Sequence, residues 1–186
     1  LPGFGIINAD DPSADYFAGA TGKEVGLYSI IRKDTDIYAH SLSPDATGTS
    51  FTIVAGDFTA RTRLSIPGSF NIENLLGASL AVSKLLDIEV SEIIPHYPNL
   101  KPVQGRMTAI DQGQDFTIIV DYAHTPSSFK RIMPLMRKLT KGRLISVFGS
   151  AGERDREKRP MQGKIASKYS DIVILTDEDP RLEDRM

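Results

Sequence analysis

The sequence predicts an α/β fold in two parts, and two patterns carry that prediction. In the last third of the chain, three apolar runs each end in a polar turn, with helical patterns between them; the runs are residues 116–120, 144–148 and 172–175. Strands that alternate with helices imply right-handed crossovers and a parallel sheet. Residues 34–66 differ, because short runs of β-branched and aromatic residues punctuated by glycine predict a small antiparallel meander.

The elements of the first part follow from the same signals. A short buried strand is predicted at residues 5–8, and the meander strands are expected at 36–39, 49–54 and 59–66. After Pro67 the apolar pattern becomes helical, with Asn71 as the predicted N-cap. A second, short helix is expected near residues 91–96.

A domain boundary is predicted where two prolines fall within five residues. Pro98 and Pro102 block both a helix and a central strand, so the segment between them has the character of a linker. The predicted domains are therefore residues 1–102 and 103–186.

The second part contains one further hairpin and two helices. Residues 111–113 have the polar character of a hairpin turn. Thr125 is predicted to cap a helix whose first position is Pro126, where a missing N–H has no cost. Another helix is expected to begin near Pro160.

Composition excludes several classes of function. The chain has 186 residues, 40% of them hydrophobic and 25% charged, which is ordinary for a globular protein. A formal charge of -2 offers no general attraction for nucleic acid or for an anionic membrane, so neither partner is predicted. Cysteine is absent, which excludes thiol catalysis and fits the cytoplasm, the predicted location. The chain starts without Met and stops just after a strand, so we interpret it as a piece of a longer protein.

The polar turns after the three apolar runs are the candidate site. Ligands of open α/β sheets bind at the edge where the strands have their carboxyl ends. This edge is expected to gather five charged or titratable side chains around one crevice: Asp121, His124, Arg154, Asp179 and Arg181.

Each turn also has a simpler interpretation. Residues 149–159 combine two glycines with four cations, Arg154, Arg156, Lys158 and Arg159, which favours an anionic ligand; the alternative is a solvated run of charges. Asp121 and His124 suit a ribose and a phosphate, but the segment could equally be a helix cap. Asp179 and Arg181 suit a zwitterion, or only form a turn.

Two polar features of the first part are candidates as well. Asn71 and Asn74 lie in the first turn of the long helix, where free N–H groups attract anions and polar rings, although Asn71 could serve only as a cap. Arg106 follows the linker and could reach a phosphate, or remain solvated.

Taken in order, six segments resemble the ATP-dependent Mur ligases of peptidoglycan synthesis, and most closely the members that add a diamino acid. They are residues 7–11 (INADD), 70–74 (FNIEN), 105–107 (GRM), 120–126 (VDYAHTP), 148–160 (FGSAGERDREKRP) and 179–181 (DPR). The combination is far more specific than any single segment, and it covers nearly the whole chain.

The resemblance implies a fold and a reaction. Residues 1–102 would be the C-terminal part of the central ATP-binding domain, and residues 103–186 the truncated N-terminal part of a Rossmann-like, parallel-sheet ligase domain. The reaction would phosphorylate a carboxylate of UDP-MurNAc-L-Ala-D-Glu with ATP and Mg²⁺, after which an amine attacks the acyl phosphate. The P-loop, the Mg²⁺ ligands and the UDP-binding domain would lie outside these residues, so no metal ligand is predicted here, and the fragment alone is expected to be inactive.

The resemblance also implies roles for individual residues. Asn71 and Asn74 would contact the adenine region, Arg106 the phosphates and Asp121 the ribose, with His124 close to the nucleotide. Arg106 and His124 are thereby the candidate catalytic residues. The incoming diamino acid would be recognised by Arg154, Asp179 and Arg181.

The sequence leaves the amino acid and the class of protein open. Diaminopimelate-adding enzymes of the family typically carry Asn-Pro-Arg where this chain has Asp179-Pro180-Arg181. Arg181 favours a substrate carboxylate and Asp179 an ammonium, so meso-diaminopimelate and L-lysine both remain. The alternatives are a non-catalytic nucleotide- or anion-binding module and a ligase of the folylpolyglutamate synthetase type. No oligomeric state is predicted.

Overall fold

A computed structural model of the protein describes residues 3–45 and 47–184. The chain divides into two compact units, Leu1–Val120 and Asp121–Met186. Among the helices of the described residues, none is long and apolar enough to cross a membrane.

The first unit is built on a five-stranded mixed sheet whose strands follow the order of the chain: β1 (Phe4–Asn8), β2 (Glu24–Ser29), β3 (Ile37–Asp45), β4 (Gly48–Ala55) and β5 (Phe58–Leu64). The first three strands run parallel, and β3, β4 and β5 pair antiparallel. Helix α1 (Ala14–Thr21) connects β1 to β2. The predicted first strand and the predicted meander are therefore confirmed.

The long helix α2 (Ser69–Leu86) completes the core of this unit. Phe51 and Ile53 of β4 and Ile72 and Leu76 of α2 are fully buried and belong to one apolar cluster. Phe51 and Ile53 alternate with the half-buried Thr52, as a strand with one covered face requires. Helix and sheet thus bury each other's apolar faces.

The prediction that Asn71 caps α2 is wrong, because the N-cap lies three residues earlier and the helix begins at Ser69. Gly68 takes the N-cap position with φ at 105°, a conformation that glycine adopts at little cost. The Asn71 side chain instead donates from Nδ2 to the Pro67 carbonyl at 2.8 Å.

Two short helices and a hairpin end the first unit. Helix α3 (Val90–Ile93) runs directly into a 3₁₀ helix (Ile94–Asn99), so the predicted short helix is present with a tighter second half. The hairpin consists of β6 (Thr108–Ile110) and β7 (Ile118–Val120), which pair antiparallel.

The second unit places two helices beside a parallel pair of strands. Its elements are α4 (Pro126–Leu139), β8 (Ile145–Phe148), α5 (Lys158–Tyr169) and β9 (Ile172–Leu175). Thr125 caps α4 by accepting a hydrogen bond from the Ser128 amide, as predicted. The Phe129 ring meets the Phe148 ring edge to face at 4.9 Å between centroids, which joins α4 to the sheet.

One sheet prediction needs correction. The three apolar runs were expected to share a parallel sheet, but only β8 and β9 pair in that way, while β7 pairs with β6 in the first unit. The cause is local: Gly113, at φ 84°, and the Asp111 carboxylate close a tight turn that returns the chain onto β7. Strand β7 therefore pairs with β6 and not with β8 or β9.

Candidate functional site

Two loops leave the carboxyl ends of β8 and β9 side by side. We call residues 149–157 the glycine loop and residues 176–184 the acidic loop. Phe148 and Leu175 are partners in the strand register, and the Thr176 amide extends the ladder by donating to the Phe148 carbonyl at 3.1 Å. Adjacent parallel strands therefore place the two loops together, as the sequence predicted for this edge.

The glycines of the glycine loop allow the two loops to touch through their backbones. A Cβ on Gly149 would lie 2.3 Å from the Thr176 carbonyl oxygen, and one on Gly152 would lie 2.0 Å from that of Pro180. The Gly152 amide donates to the Asp179 carbonyl at 2.7 Å. In the sequence these glycines, together with the nearby cations, favoured an anionic ligand; in the structure they let one loop approach the other.

The carboxylate of Glu183 makes the second connection between the loops. Its Oε1 accepts from the Glu153 amide at 2.8 Å and from Arg156 Nε at 3.1 Å, and its Oε2 lies 2.8 Å from Arg159 Nη1. The hydrogen bond from Arg159, followed by that from the Glu153 amide, lowers the pKa of Glu183 from 4.5 to about 2. This carboxylate is therefore ionised at neutral pH.

Sequence reasoning missed Glu183. It lies in a polar stretch without periodicity, and the loop amide that it accepts from is 30 residues earlier in the chain. The available signal was the surplus of cations in residues 154–159, since such a surplus requires a carboxylate from elsewhere if the loop is to be ordered.

The four cations of residues 154–159 differ in their contacts. Arg156 and Arg159 pair with Glu183, and Lys158 Nζ donates to the His124 carbonyl at 3.2 Å. Arg154 is exposed, and its side chain makes no hydrogen bond or ion pair within residues 3–45 and 47–184. Of the four predicted anion-binding cations, Arg154 is thus the one whose guanidinium is available to a ligand.

The acidic loop carries a loose pair of opposite charges. Arg181 Nε lies 3.5 Å from Asp179 Oδ2, and both residues are exposed. An exposed pair at this distance contributes little to stability. The two residues can therefore give up their mutual contact and bind a ligand instead. The Asp179 carboxylate would then accept an ammonium group of the ligand, and the Arg181 guanidinium would bind a carboxylate.

The turn before α4 presents an acid and an imidazole. Asp121 Oδ1 accepts from the Ala123 amide at 2.8 Å. His124 Nδ1 lies 3.0 Å from the Tyr122 carbonyl, which can only accept, so Nδ1 carries a proton. In the neutral ring Nε2 is then an acceptor. Since Thr125 provides the helix cap, capping does not account for Asp121 and His124.

The first unit holds the remaining candidates. Asn71 is half-buried and Asn74 is exposed, one turn apart on α2. In the same turn Glu73 Oε2 accepts from Asn8 Nδ2 at 3.4 Å, which places this turn at the carboxyl end of β1. Arg106 is exposed in the segment before β6, where its amide donates to the Val103 carbonyl at 2.9 Å.

A network at the ends of β1 and β2 was not predicted. The Asp10 carboxylate accepts from Ser29 Oγ at 2.5 Å and from the Ile30 amide at 2.8 Å, which ties the carboxyl end of β1 to that of β2. Within the described part of the chain, no group of three or more His, Cys, Asp or Glu residues could hold a metal ion.

The structure thus brings some of the predicted site residues together. The loops of Arg154, Asp179 and Arg181 are joined directly, and Lys158, the first residue of α5 after the glycine loop, donates to the turn of His124. Asn71, Asn74 and Arg106 belong to the first unit. The predicted single crevice for all five strand-end residues remains a prediction, as does the domain boundary at residue 102.

Comparison with known proteins yields two domain matches. Residues 1–82 match the Mur ligase middle domain, and residues 105–186 match the glutamate ligase domain of Mur ligases.

Curated proteins and a solved structure agree with these matches. The chain is 47% identical to a UDP-N-acetylmuramyl-tripeptide synthetase of Treponema denticola, over 99% of this chain and 37% of that protein. It is 38% identical to the UDP-N-acetylmuramoyl-L-alanyl-D-glutamate–2,6-diaminopimelate ligase of Bacillus licheniformis, over 98% of this chain and 37% of that one. A solved structure of a 2,6-diaminopimelate ligase superposes with a TM-score of 0.64 at 30% identity, over 97% of this chain and 38% of the other. The chain spans little more than a third of these relatives.

Proposed function

The chain belongs to the Mur ligase family, and from that premise we propose that it is part of a ligase which adds a diamino acid to UDP-MurNAc-L-Ala-D-Glu in peptidoglycan synthesis. ATP would activate a carboxylate of this substrate as an acyl phosphate, the amine would attack the acyl carbon, and phosphate would leave. The names and identities of the curated relatives support this reaction class. A cytoplasmic location, with no nucleic acid or membrane as partner, belongs to the same proposal.

The observation that carries the proposal is the joining of the glycine loop to the acidic loop. The hydrogen bond from Gly152 to Asp179 places Arg154 beside the segment of Asp179 and Arg181. Two guanidinium groups and one carboxylate complement the carboxylate and ammonium groups of an amino acid. We assign recognition of the incoming diamino acid to these three residues.

We assign binding of ATP to the remaining candidate residues. Asn71 and Asn74 would contact the adenine, and Asp121 would bind the ribose. His124 Nε2 would accept a hydrogen bond near the phosphates. Arg106 would stabilise the negative charge of the transferring phosphoryl group, because a guanidinium offers several donors in one plane.

The ligands of the Mg²⁺ that accompanies ATP would lie outside these 186 residues, as the resemblance to the family implies. The 186 residues also contain no G-x-x-x-x-G-K-[ST] motif. We therefore expect these residues alone to lack ligase activity, so activity is measured on the full-length enzyme.

The decisive test is ligation by the full-length enzyme offered meso-diaminopimelate or L-lysine in single-turnover reactions with ATP. We expect formation of the tripeptide product with one of them. Arg181→Ala should raise the KM for the diamino acid about ten- to hundredfold, which corresponds to the loss of a charged hydrogen bond, and should leave the KM for ATP within about twofold.

Arg143→Ala is the matched control. Arg143 is also exposed and belongs to the same unit, but it precedes β8 and so lies at the opposite end of the strand from the two loops. Its replacement should change neither KM. Equal effects of Arg181→Ala on both substrates would refute the assignment, and no ligation of either diamino acid would refute the function.

A further inference from the structure

Two consecutive amides of the glycine loop bond to the acidic loop on either side of Arg181. The Gly152 amide donates to the Asp179 carbonyl, and the Glu153 amide donates to the Glu183 carboxylate. Arg154 follows directly after these two amides in the chain. The two cross-loop bonds therefore bracket the proposed amino-acid-binding residues.

The acceptor is a backbone carbonyl in one of these hydrogen bonds and a side-chain oxygen in the other. The Gly152 bond joins backbone to backbone, and any side chain at position 179 permits it. The Glu153 bond depends on a side-chain oxygen at position 183 that is held in one orientation. Arg159 fixes that orientation from the first turn of α5, and it also donates from Nη2 to the Ala151 carbonyl at 3.3 Å.

Burial shows that this carboxylate is part of the loop structure. The Glu183 side chain is 15% exposed, whereas that of Arg156 is 72% exposed and that of Arg159 33%. Screening by water therefore weakens the Arg156 contact most, and the Arg159 contact least. Removing the carboxylate would leave the Glu153 amide without its acceptor and would take the ion-pair partner from the partly buried Arg159 guanidinium, which would keep its bond to the Ala151 carbonyl.

From this geometry we infer that Glu183 is a positioning residue for the diamino acid: its carboxylate holds Arg154 and Arg181 at the spacing that the amino acid requires. Glu183 does so through the loop backbones. The inference rests on the proposed function, because it names the substrate of that same site.

The inference separates the two substrates of the reaction. Loss of the Glu183 carboxylate frees the glycine loop from the acidic loop on one side, and this weakens recognition of the diamino acid. The residues assigned to adenine and ribose lie elsewhere in the chain, at positions 71, 74 and 121. The effect on ATP should therefore be small.

The test compares three variants of the full-length enzyme. Glu183→Ala removes the acceptor, Glu183→Gln keeps an oxygen acceptor for the Glu153 amide but loses the charge, and Glu157→Gln is the control. Glu157 is exposed in the same glycine loop, and its side chain makes no hydrogen bond or ion pair within the described ranges 3–45 and 47–184. Hydrogen exchange of residues 149–157 and 176–184 is measured beside the KM for each substrate.

We expect Glu183→Ala to raise the KM for the diamino acid about tenfold or more, with the KM for ATP within about twofold. Glu183→Gln should recover part of the loss, and Glu157→Gln should behave as the wild type. In both Glu183 variants the two loops should exchange faster, and this measurement keeps the test valid if Glu183→Ala folds poorly.

Two results would overturn the inference while the proposed function stands: an active wild type in which the Glu183 variants change both KM values equally, or variants whose loops exchange at the wild-type rate. A wild-type enzyme that ligates neither diamino acid would overturn the proposed function and the inference together. The wild-type activity thus distinguishes the two failures.

Discussion

Substitution of Gly152 by alanine tests the contact between the two loops most directly. The added Cβ would lie 2.0 Å from the Pro180 carbonyl oxygen, whereas real Cβ atoms essentially never approach a heavy atom within 3.0 Å. One loop must therefore move by about 1 Å. Because the contact atom is backbone, a side-chain rotation cannot relieve it. A shift of that size takes the 2.7 Å bond from the Gly152 amide to the Asp179 carbonyl out of hydrogen-bonding range.

The cost of the substitution in free energy of unfolding has two parts, the lost hydrogen bond and the carbon atom inserted against the Pro180 carbonyl. A hydrogen bond contributes about 0.5–1.5 kcal/mol, and inserting a carbon into a filled space costs about 1–3 kcal/mol. Gly152→Ala should therefore destabilise the second unit by about 1.5–4.5 kcal/mol. Gly163→Ala is the control, because a Cβ there meets nothing within 4 Å and lies in helix α5, where alanine is favoured by about 0.5–1 kcal/mol.

Native-state hydrogen exchange supplies the measurement, since it reports the free energy of opening for individual segments. The amides of β8 and β9 in the full-length protein should open more readily in Gly152→Ala and no more readily in Gly163→Ala. If Gly152→Ala stays within about 0.5 kcal/mol of the wild type, or if both variants lose stability equally, the argument from loop contact is refuted.

Three further predictions concern charge, capping and the core. The pKa of Glu183 is about 2 in the folded chain and 4.5 ordinarily, so the ionised carboxylate stabilises the loops fully above about pH 4.5, and this stabilisation is lost as the pH falls toward 2. Between pH 6 and pH 3 the free energy of opening of the acidic loop should therefore fall more steeply in the wild type than in Glu183→Gln. Thr125→Ala removes the cap of α4 and should lower the free energy of opening of this helix by about 1 kcal/mol, whereas Ser127→Ala, at an exposed neighbouring position, should change it by less than about 0.5 kcal/mol. Similar values for the two variants would contradict the capping role of Thr125. Phe51→Ala, at a fully buried position, should cost about 3–5 kcal/mol in urea unfolding, and Phe116→Ala, 62% exposed, about 1 kcal/mol or less; a small effect at Phe51 would argue against the described core.

Short-range signals account for the elements that were predicted correctly. Thr125 and Pro126 define the start of α4 because a cap and a missing N–H act within one turn. The meander follows from short runs of β-branched and aromatic residues, such as the run of Phe51 and Ile53, with glycine between the runs. Both signals act between neighbours in the chain.

Two elements were predicted wrongly because the local sequence is compatible with more than one structure. Asn71 is a good N-cap by residue type, but Gly68 could adopt a positive φ and start α2 sooner. The apolar run before Asp121 fits a parallel strand equally well, and the turn at Gly113 decided in favour of the hairpin. Residue type alone does not rank such alternatives, because their energies are similar.

For the site, the sequence by itself determined the family, through six motifs in order, and the chemical types of the candidate residues. Only the tertiary structure decided which cations of residues 154–159 form ion pairs: Arg156 and Arg159 are bound to Glu183, and within the described residues the Arg154 side chain is in no ion pair. The physical reason is that motifs are contiguous, whereas an ion pair between residues almost 30 positions apart exists only once parallel strands have placed two loops together.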